Sequence, residues 1–167
     1  MSTLNYYTLL GLPPTVQVNE AELRSRYLSA IQQSHPDRFV NASEVEKRTA
    51  LLTSAHLNEA FQTLKNPVTR LSYWIKLHGG DLEKNRVISS DLLMQQMAWR
   101  EQLDEKKDLP QLKQTIQSQY DSILSNLMVM SEELSQQPDL IEKICENFQL
   151  LQLTHKILTD RRLCSLT

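Results

Sequence analysis

The residues best placed to do chemistry are His35 and Asp37, an imidazole and a carboxylate separated by Pro36. Such a pair could move a proton, but no serine, cysteine or second carboxylate completes a recognisable catalytic constellation around it. Docking is the better match. Pro36 has no N–H, disfavours continued helix and restricts His35 before it. A tripeptide stiffened in this way has little entropy left to lose when it meets a partner. The Asp37 carboxylate suits a bidentate arginine on that partner. A plainer alternative leaves His35 and Asp37 as caps of the adjoining helices. By composition, His-Pro-Asp should arise about once in a hundred chains of this length, so its setting must decide.

Metal and thiol chemistry are poorly supported. His56, His78 and His155 are far apart and lack ligand spacing, so surface or interface histidines are expected, with no metal and no cofactor. Cys145 and Cys164 fall in what reads as one last helix. On a straight helix they would stand roughly 28 Å apart, too far for a bridge. Two reduced thiols, and hence a cytoplasmic protein, are expected.

The elements that must position these residues read as helices throughout. A short first helix over 4–10 is closed by Gly11 and Pro13-Pro14. Asn19 caps a second, with Glu20 and Glu22 in its first turn and Leu23, Tyr27, Ala30 and Ile31 at 3/4 spacing, ending near Ser34. A third runs from about Ser43 to Lys65, with Val45, Leu52, Ala55, Leu57, Ala60, Phe61 and Leu64 as its apolar side. Pro67 breaks it, and a fourth covers Val68 to Leu77 before Gly79-Gly80. Residues 81–88 read as a linker. Ser89 or Ser90 then caps a helix to about Lys107, Asp108 and Pro110 start another, and Pro138 opens the last. Short connections imply antiparallel neighbours, hence a three-helix bundle. The expected fold is all-α, with a first domain over 1–78, a linker over 79–88 and a bundle over 89–167.

Bulk properties narrow the class. Of 167 residues, 18 are Lys or Arg and 20 are Asp or Glu, giving a net charge of −2. A nucleic-acid binder that relies on a broad basic face is not expected. No apolar stretch approaches the roughly 20 residues of a membrane span, and Met1 to Gly11 lacks the pattern of a secretory signal.

The helix, His-Pro-Asp loop, helix arrangement, preceded by Tyr7-Thr8-Leu9-Leu10-Gly11-Leu12, resembles the J-domain. That domain presents such a loop to a DnaK-type chaperone ATPase, which would make His35, Pro36 and Asp37 the contact. Arg24, Arg26 and Arg38 are the basic residues available for the ATPase's acidic surface. Gln32, Gln33 and Ser34 stand where lysine is common, so weaker or more specialised pairing is implied. The Gly/Phe-rich stretch and CxxCxGxG zinc region of generic DnaJ proteins are missing.

The run from Leu57 to Trp74 instead resembles the N-x-A-x-x-T-L-x-x-P-x-x-R-x-x-Y signature of the HscB family, J-type co-chaperones of iron–sulfur cluster biogenesis. Residues Leu93 to Glu105 are similar to its L-M-x-x-x-E-x-R-E-x-L-[DE]-E segment, with Ala98 where glutamate is common. In that family this segment and an aromatic on the last helix bind the scaffold protein IscU, and Leu150 is the best match for the aromatic.

Spacing supplies an independent argument. At about 100° per residue, Leu92, Trp99 and Leu103 fall within roughly 40° of one another, a core stripe. Leu93, Met94 and Met97 lie about 100–200° around, with Glu101 and Glu105 near 180–220°. A second apolar patch opposite the bundle face needs a partner, and methionine suits an adaptable surface. Leu150, Leu153 and Ile157 are likewise expected to sit away from the stripe of Ile144, Phe148 and Leu151.

Three readings follow. The first is an adaptor that stimulates an HscA-type ATPase and brings IscU to it, monomeric when alone, using His35, Pro36, Asp37, Arg38, Arg24 and Arg26 at one end and Leu93, Met94, Met97, Glu101, Glu105 and Leu150 at the other. The second is a J-protein with another client on the Met patch. The third is a helical assembly protein that dimerises through that patch. No enzyme activity is expected.

Overall fold

The computed structural model of the protein describes residues 5–34, 42–84 and 90–164, and all regular structure among them is helical. The chain divides into two compact units, 1–74 and 75–167. The last turn of the helix begun at Pro67, and the Gly79–Gly80 turn after it, therefore belong with the second unit.

In the first unit, α1 (Tyr6–Leu9) leads to a long hairpin of α2 (Glu20–Ser34) and α3 (Glu44–Lys65). Local chemistry sets each boundary. Asn19 accepts from the backbone N–H of Ala21 and Glu22, so it caps α2. Ser43 and Glu46 form a reciprocal capping box at the start of α3. Asn66 ends α3 and accepts from Val68 N at 2.8 Å, capping α4 (Pro67–Leu77), whose first residue is the proline.

Polar ties cross the hairpin. The Tyr27 hydroxyl donates to Asn58 Oδ1 at 2.6 Å, and the Tyr27 ring stacks on Phe61 at 4.3 Å. Ser54 Oγ donates to the Ser34 carbonyl at 3.0 Å. Moving back along α2 from Ser34 to Tyr27 thus moves forward along α3 from Ser54 to Asn58, so the two run antiparallel. α4 closes the unit: Trp74 Nε1 donates to Pro14 O, Tyr6 N donates to the Tyr73 hydroxyl, and the Tyr6 and Tyr73 rings stack at 4.5 Å. Buried Arg70 donates from Nη1 to Leu64 O, placing a cation at the C-terminal end of α3.

α3 corrects one expectation. Val45 and Leu52 are 75% and 52% exposed, and Ala55 is exposed too, while Ala50 and Ser54 are buried instead. Ser54 faces α2, where its hydroxyl bonds the Ser34 carbonyl, and with Ala50 on the same side the bulkier Val45 and Leu52 are left outside.

The second unit packs α5 (Ser90–Asp104), α6 (Leu109–Glu133) and α7 (Leu140–Leu158) as a bundle, followed by a short α8 (Arg161–Cys164). Trp99 and Leu103 of α5 meet Leu112 and Ile116 of α6, Ile157 of α7 and Leu163 of α8 in one cluster. Burying side chains of this size stabilises by about 1.5–3 kcal/mol each. Gly79 has φ +80°, and the N–H groups of Gly79 and Gly80 bond back to Lys76 O and Ile75 O, a Schellman stop for α4. Gly80 has no room for a side chain: a Cβ there would lie 3.0 Å from Cys145 Sγ and 3.2 Å from Ile141 Cδ1.

Three further expectations are corrected here. α5 stops at Asp104 rather than near Lys107, because Lys106 adopts φ 53° and the Lys107 and Lys106 N–H groups bond back to Gln102 O and Leu103 O. This is the same stop as at Gly79, built with lysine in the glycine place. The last helix is not continuous: Thr159 and Asp160 interrupt it, and the Asp160 carboxylate accepts from Arg162 N to start α8. Cys145 and Cys164 are both free, but they do not share one helix. Ile157, expected outside the stripe, is 4% exposed. A helix between several neighbours buries more than one stripe, and α5 and α8 cover the side on which Ile157 lies.

Candidate functional site

At the hairpin end, α2 delivers the chain through Ser34 into the tripeptide. His35, Pro36, Asp37 and Arg38 lie outside the described residues. Arg24 and Arg26 are exposed on α2. Arg26 is occupied within its own helix: its Nε and a terminal nitrogen both reach Glu22 Oε1 at 2.8 Å. The i,i+4 spacing from Glu22 to Arg26 was visible in sequence and signals this pairing.

In the second unit, α5 has two faces of different kinds. Its inner face carries Trp99 and Leu103 into the core. Its outer face leaves Leu93, Met94 and Met97 at 50%, 61% and 62% exposure. Met97 joins Glu101 and Glu105, with Arg100 and Asp104, around an open groove of about 690 Å³. Leu150 is half-buried on α7 and does not line this groove.

Charge on this face is edited by α8. Arg162 holds Asp104 through Nη1 and grips Asp160 through Nε and Nη2. Hydrogen bonds from Arg162 hold the Asp160 carboxyl well below the usual carboxylate range. Asp104 is thus paired internally, while Glu101 and Glu105 are exposed beside Met97.

Sequence reasoning missed Gln96. It is 5% exposed, and its Nε2 has no hydrogen-bond partner among the described residues. Its angular position, about 40° from Leu92 and on the core side, was the available signal. His155 packs its ring against Tyr120 at 5.7 Å, whereas His56 and His78 are exposed. Among the described residues no group of His, Cys, Asp and Glu could hold a metal ion, and no helix is long and apolar enough to cross a membrane.

Known proteins match both halves of this arrangement. The DnaJ domain family matches residues 5–73, and the HSCB C-terminal oligomerisation domain family matches residues 88–149. A co-chaperone protein HscB homolog from Shewanella woodyi is 37% identical over 134 residues, covering 79% of this chain and 77% of that protein. The chain belongs to the HscB co-chaperone family. Another HscB homolog, from Cupriavidus taiwanensis, is 44% identical over 103 residues, which cover 60% of this chain and 58% of that protein. The structure of chaperone HscB from Vibrio cholerae superposes with a TM-score of 0.78 at 27% identity, covering 93% of each chain. Human co-chaperone protein HscB reaches a TM-score of 0.84 at 23% identity, covering 99% of this chain and 84% of that one, a likeness of fold. This HscB-family chain is therefore a J-domain protein followed by a helical bundle, and its relatives are named as co-chaperones rather than enzymes.

Proposed function

We propose that this HscB-family chain is a two-ended adaptor. It stimulates the ATPase of an HscA/DnaK-type chaperone and delivers the iron–sulfur scaffold protein IscU to it. His35, Pro36 and Asp37, with Arg38, Arg24 and Arg26, make the ATPase contact. Leu93, Met94 and Met97, edged by Glu101 and Glu105 and helped by Leu150, receive the scaffold. The adaptor works in the cytoplasm.

The observation that carries this reading is the exposure of three large apolar side chains on the outer face of a helix whose inner face is core. Apolar surface gathered in this way favours a partner, and methionine adapts to one. Joining both docking points on one chain raises the client's local concentration at the ATPase without any new ATPase contact.

Single-turnover ATP hydrolysis by HscA, with and without IscU, tests the reading. Wild type should accelerate hydrolysis, and Asp37→Asn should not. Met94→Ala with Met97→Ala should remove only the part that depends on IscU. A wild-type chain that leaves the rate unchanged would refute the reading.

A second reading is favoured by the description of the family matching residues 88–149 as an oligomerisation domain. In it, the Leu93, Met94 and Met97 face joins two copies of the chain. Sedimentation of the isolated chain over a wide concentration range separates the two, since an invariant monomer excludes it.

A further inference from the structure

Asp104 is the last residue of α5 and lines the same outer groove as Met97, Arg100, Glu101 and Glu105. Its side chain is 73% exposed, so the carboxylate reaches the surface on which a client would lie. Three carboxylates and one cation beside an exposed apolar patch make a face that draws positive charge. A complementary client surface carries lysine or arginine around its own apolar contact.

One of those carboxylates is already answered. Arg162 of α8 binds Asp104 through Nη1. The guanidinium is held in place for this: Nε and Nη2 donate to the Asp160 carboxylate at 2.9 Å each, and the Arg162 backbone N–H donates to the same carboxylate at 3.0 Å. A planar fork gripped at two of its nitrogens leaves the third aimed in a fixed direction. The next residue, Leu163, is fully buried in the cluster with Trp99 and Leu103, so α8 is anchored to the helix that carries the groove. Arg162 is thus a fixed cation at the groove's edge. Exposed ion pairs of this kind add little stability, so its weight falls on the field above the groove.

We propose that Arg162 is a specificity-determining residue of the client face, which by neutralising Asp104 leaves the reading of charge to Glu101 and Glu105. The proposal rests on the reading of the Leu93, Met94 and Met97 face as the scaffold's docking site. Without Arg162 the face would attract basic surfaces more indiscriminately; with it, apolar contact takes the larger share of recognition. A charge at the edge of an interface acts chiefly on the association rate and its salt dependence. One unit of charge there corresponds to about a twofold to threefold change at low ionic strength.

The test is stopped-flow association of the full-length chain with IscU, at about 20 mM and at about 0.5 M salt. At low salt, Arg162→Gln should associate about twofold to threefold faster than wild type, and Asp104→Asn slower by a similar factor. The double variant should return to the wild-type rate, and Arg162→Lys, which keeps the charge, should stay with wild type. Dissociation rates should stay within about twofold throughout, and at high salt the association rates should converge. Circular dichroism checks folding, and Asp104→Asn carries the test alone if Arg162→Gln does not fold. An Arg162→Gln that is unchanged or slower, a gain that survives high salt, a double variant that keeps the full gain, an Arg162→Lys that gains as much, or an unchanged Asp104→Asn each overturns the proposal. Met94→Ala with Met97→Ala in the same assay separates the two levels. If that variant binds IscU like wild type, the docking reading falls and takes this proposal with it; if it loses IscU while Arg162→Gln is unchanged, only the role of Arg162 falls.

Discussion

The α2–α3 hairpin and the C-terminal bundle both bury apolar side chains, Leu23, Leu57 and Leu64 in the hairpin, but the hairpin adds polar ties between its two helices. Between α2 and α3, directional bonds recur: Tyr27 to Asn58, Ser54 to Ser34, and a stacked Tyr27–Phe61 pair, with small Ala50 buried nearby. In the bundle, Trp99, Leu103, Ile116, Ile157 and Leu163 form an apolar cluster. Apolar burial is non-directional, whereas hydrogen bonds weaken steeply when misaligned. A hairpin tied in this way fixes the register of α2 against α3. A bundle packed in this way needs only to stay folded and present one outer face.

The strongest test of this contrast is truncation in the bundle. Phe148 is fully buried, so Phe148→Ala should destabilise by about 3–5 kcal/mol in urea unfolding followed by circular dichroism. Asn58→Ala, which removes one exposed tie of the hairpin, should cost only about 0.5–1 kcal/mol. Comparable losses would break the contrast.

Gln96 and Thr154 are both buried polar residues of the bundle; Thr154 donates to Leu150 O, whereas Gln96 sharpens the contrast. Its Nε2 is buried without a partner among the described residues. Gln96→Met keeps the shape and removes the orphaned donor, so it should stabilise by about 1–2 kcal/mol on the same measurement. A destabilised Gln96→Met would mean that the amide is satisfied in solution.

The smallest effect concerns acid. Hydrogen bonds from the Ser43 side chain and backbone hold the Glu46 carboxyl below its ordinary value. A carboxyl held low in the folded state contributes stability that is fully present above its unfolded pKa and is lost as pH falls through the folded one. Ser43→Ala weakens that hold. Its urea midpoint should sit below wild type at neutral pH, and the gap should narrow as pH drops below about 4.5. A gap that stays constant down to pH 3 would remove the capping box from the hairpin's account.

Helix starts were legible wherever a side chain or proline announces them, as at Asn19, Ser43, Pro67 and Pro110. Stops were legible where glycine supplies positive φ, as at Gly11 and Gly79. The end of α5 was not, because Lys106 takes up a conformation that its residue type does not advertise. The buried side of α3 was misjudged because it carries small Ala50 and polar Ser54, which bulk and hydrophobicity do not single out. Angular spacing anticipated the exposure of Leu93, Met94 and Met97. It could not anticipate that Arg162 holds Asp104, since 58 residues separate the two and α8 had no separate signal.

The Gly79–Gly80 turn gives the molecule a built-in reporter. Cys145 lies beneath Gly80, is 3% exposed, and has its thiol pKa pushed up by burial. Cys164 is exposed. Thiolate is the species that alkylates, so a maleimide should label Cys164 at once and Cys145 only when the seam between the turn and α7 opens. The lag between the two modifications is a clock for breathing at that seam, readable by mass spectrometry without introducing any probe.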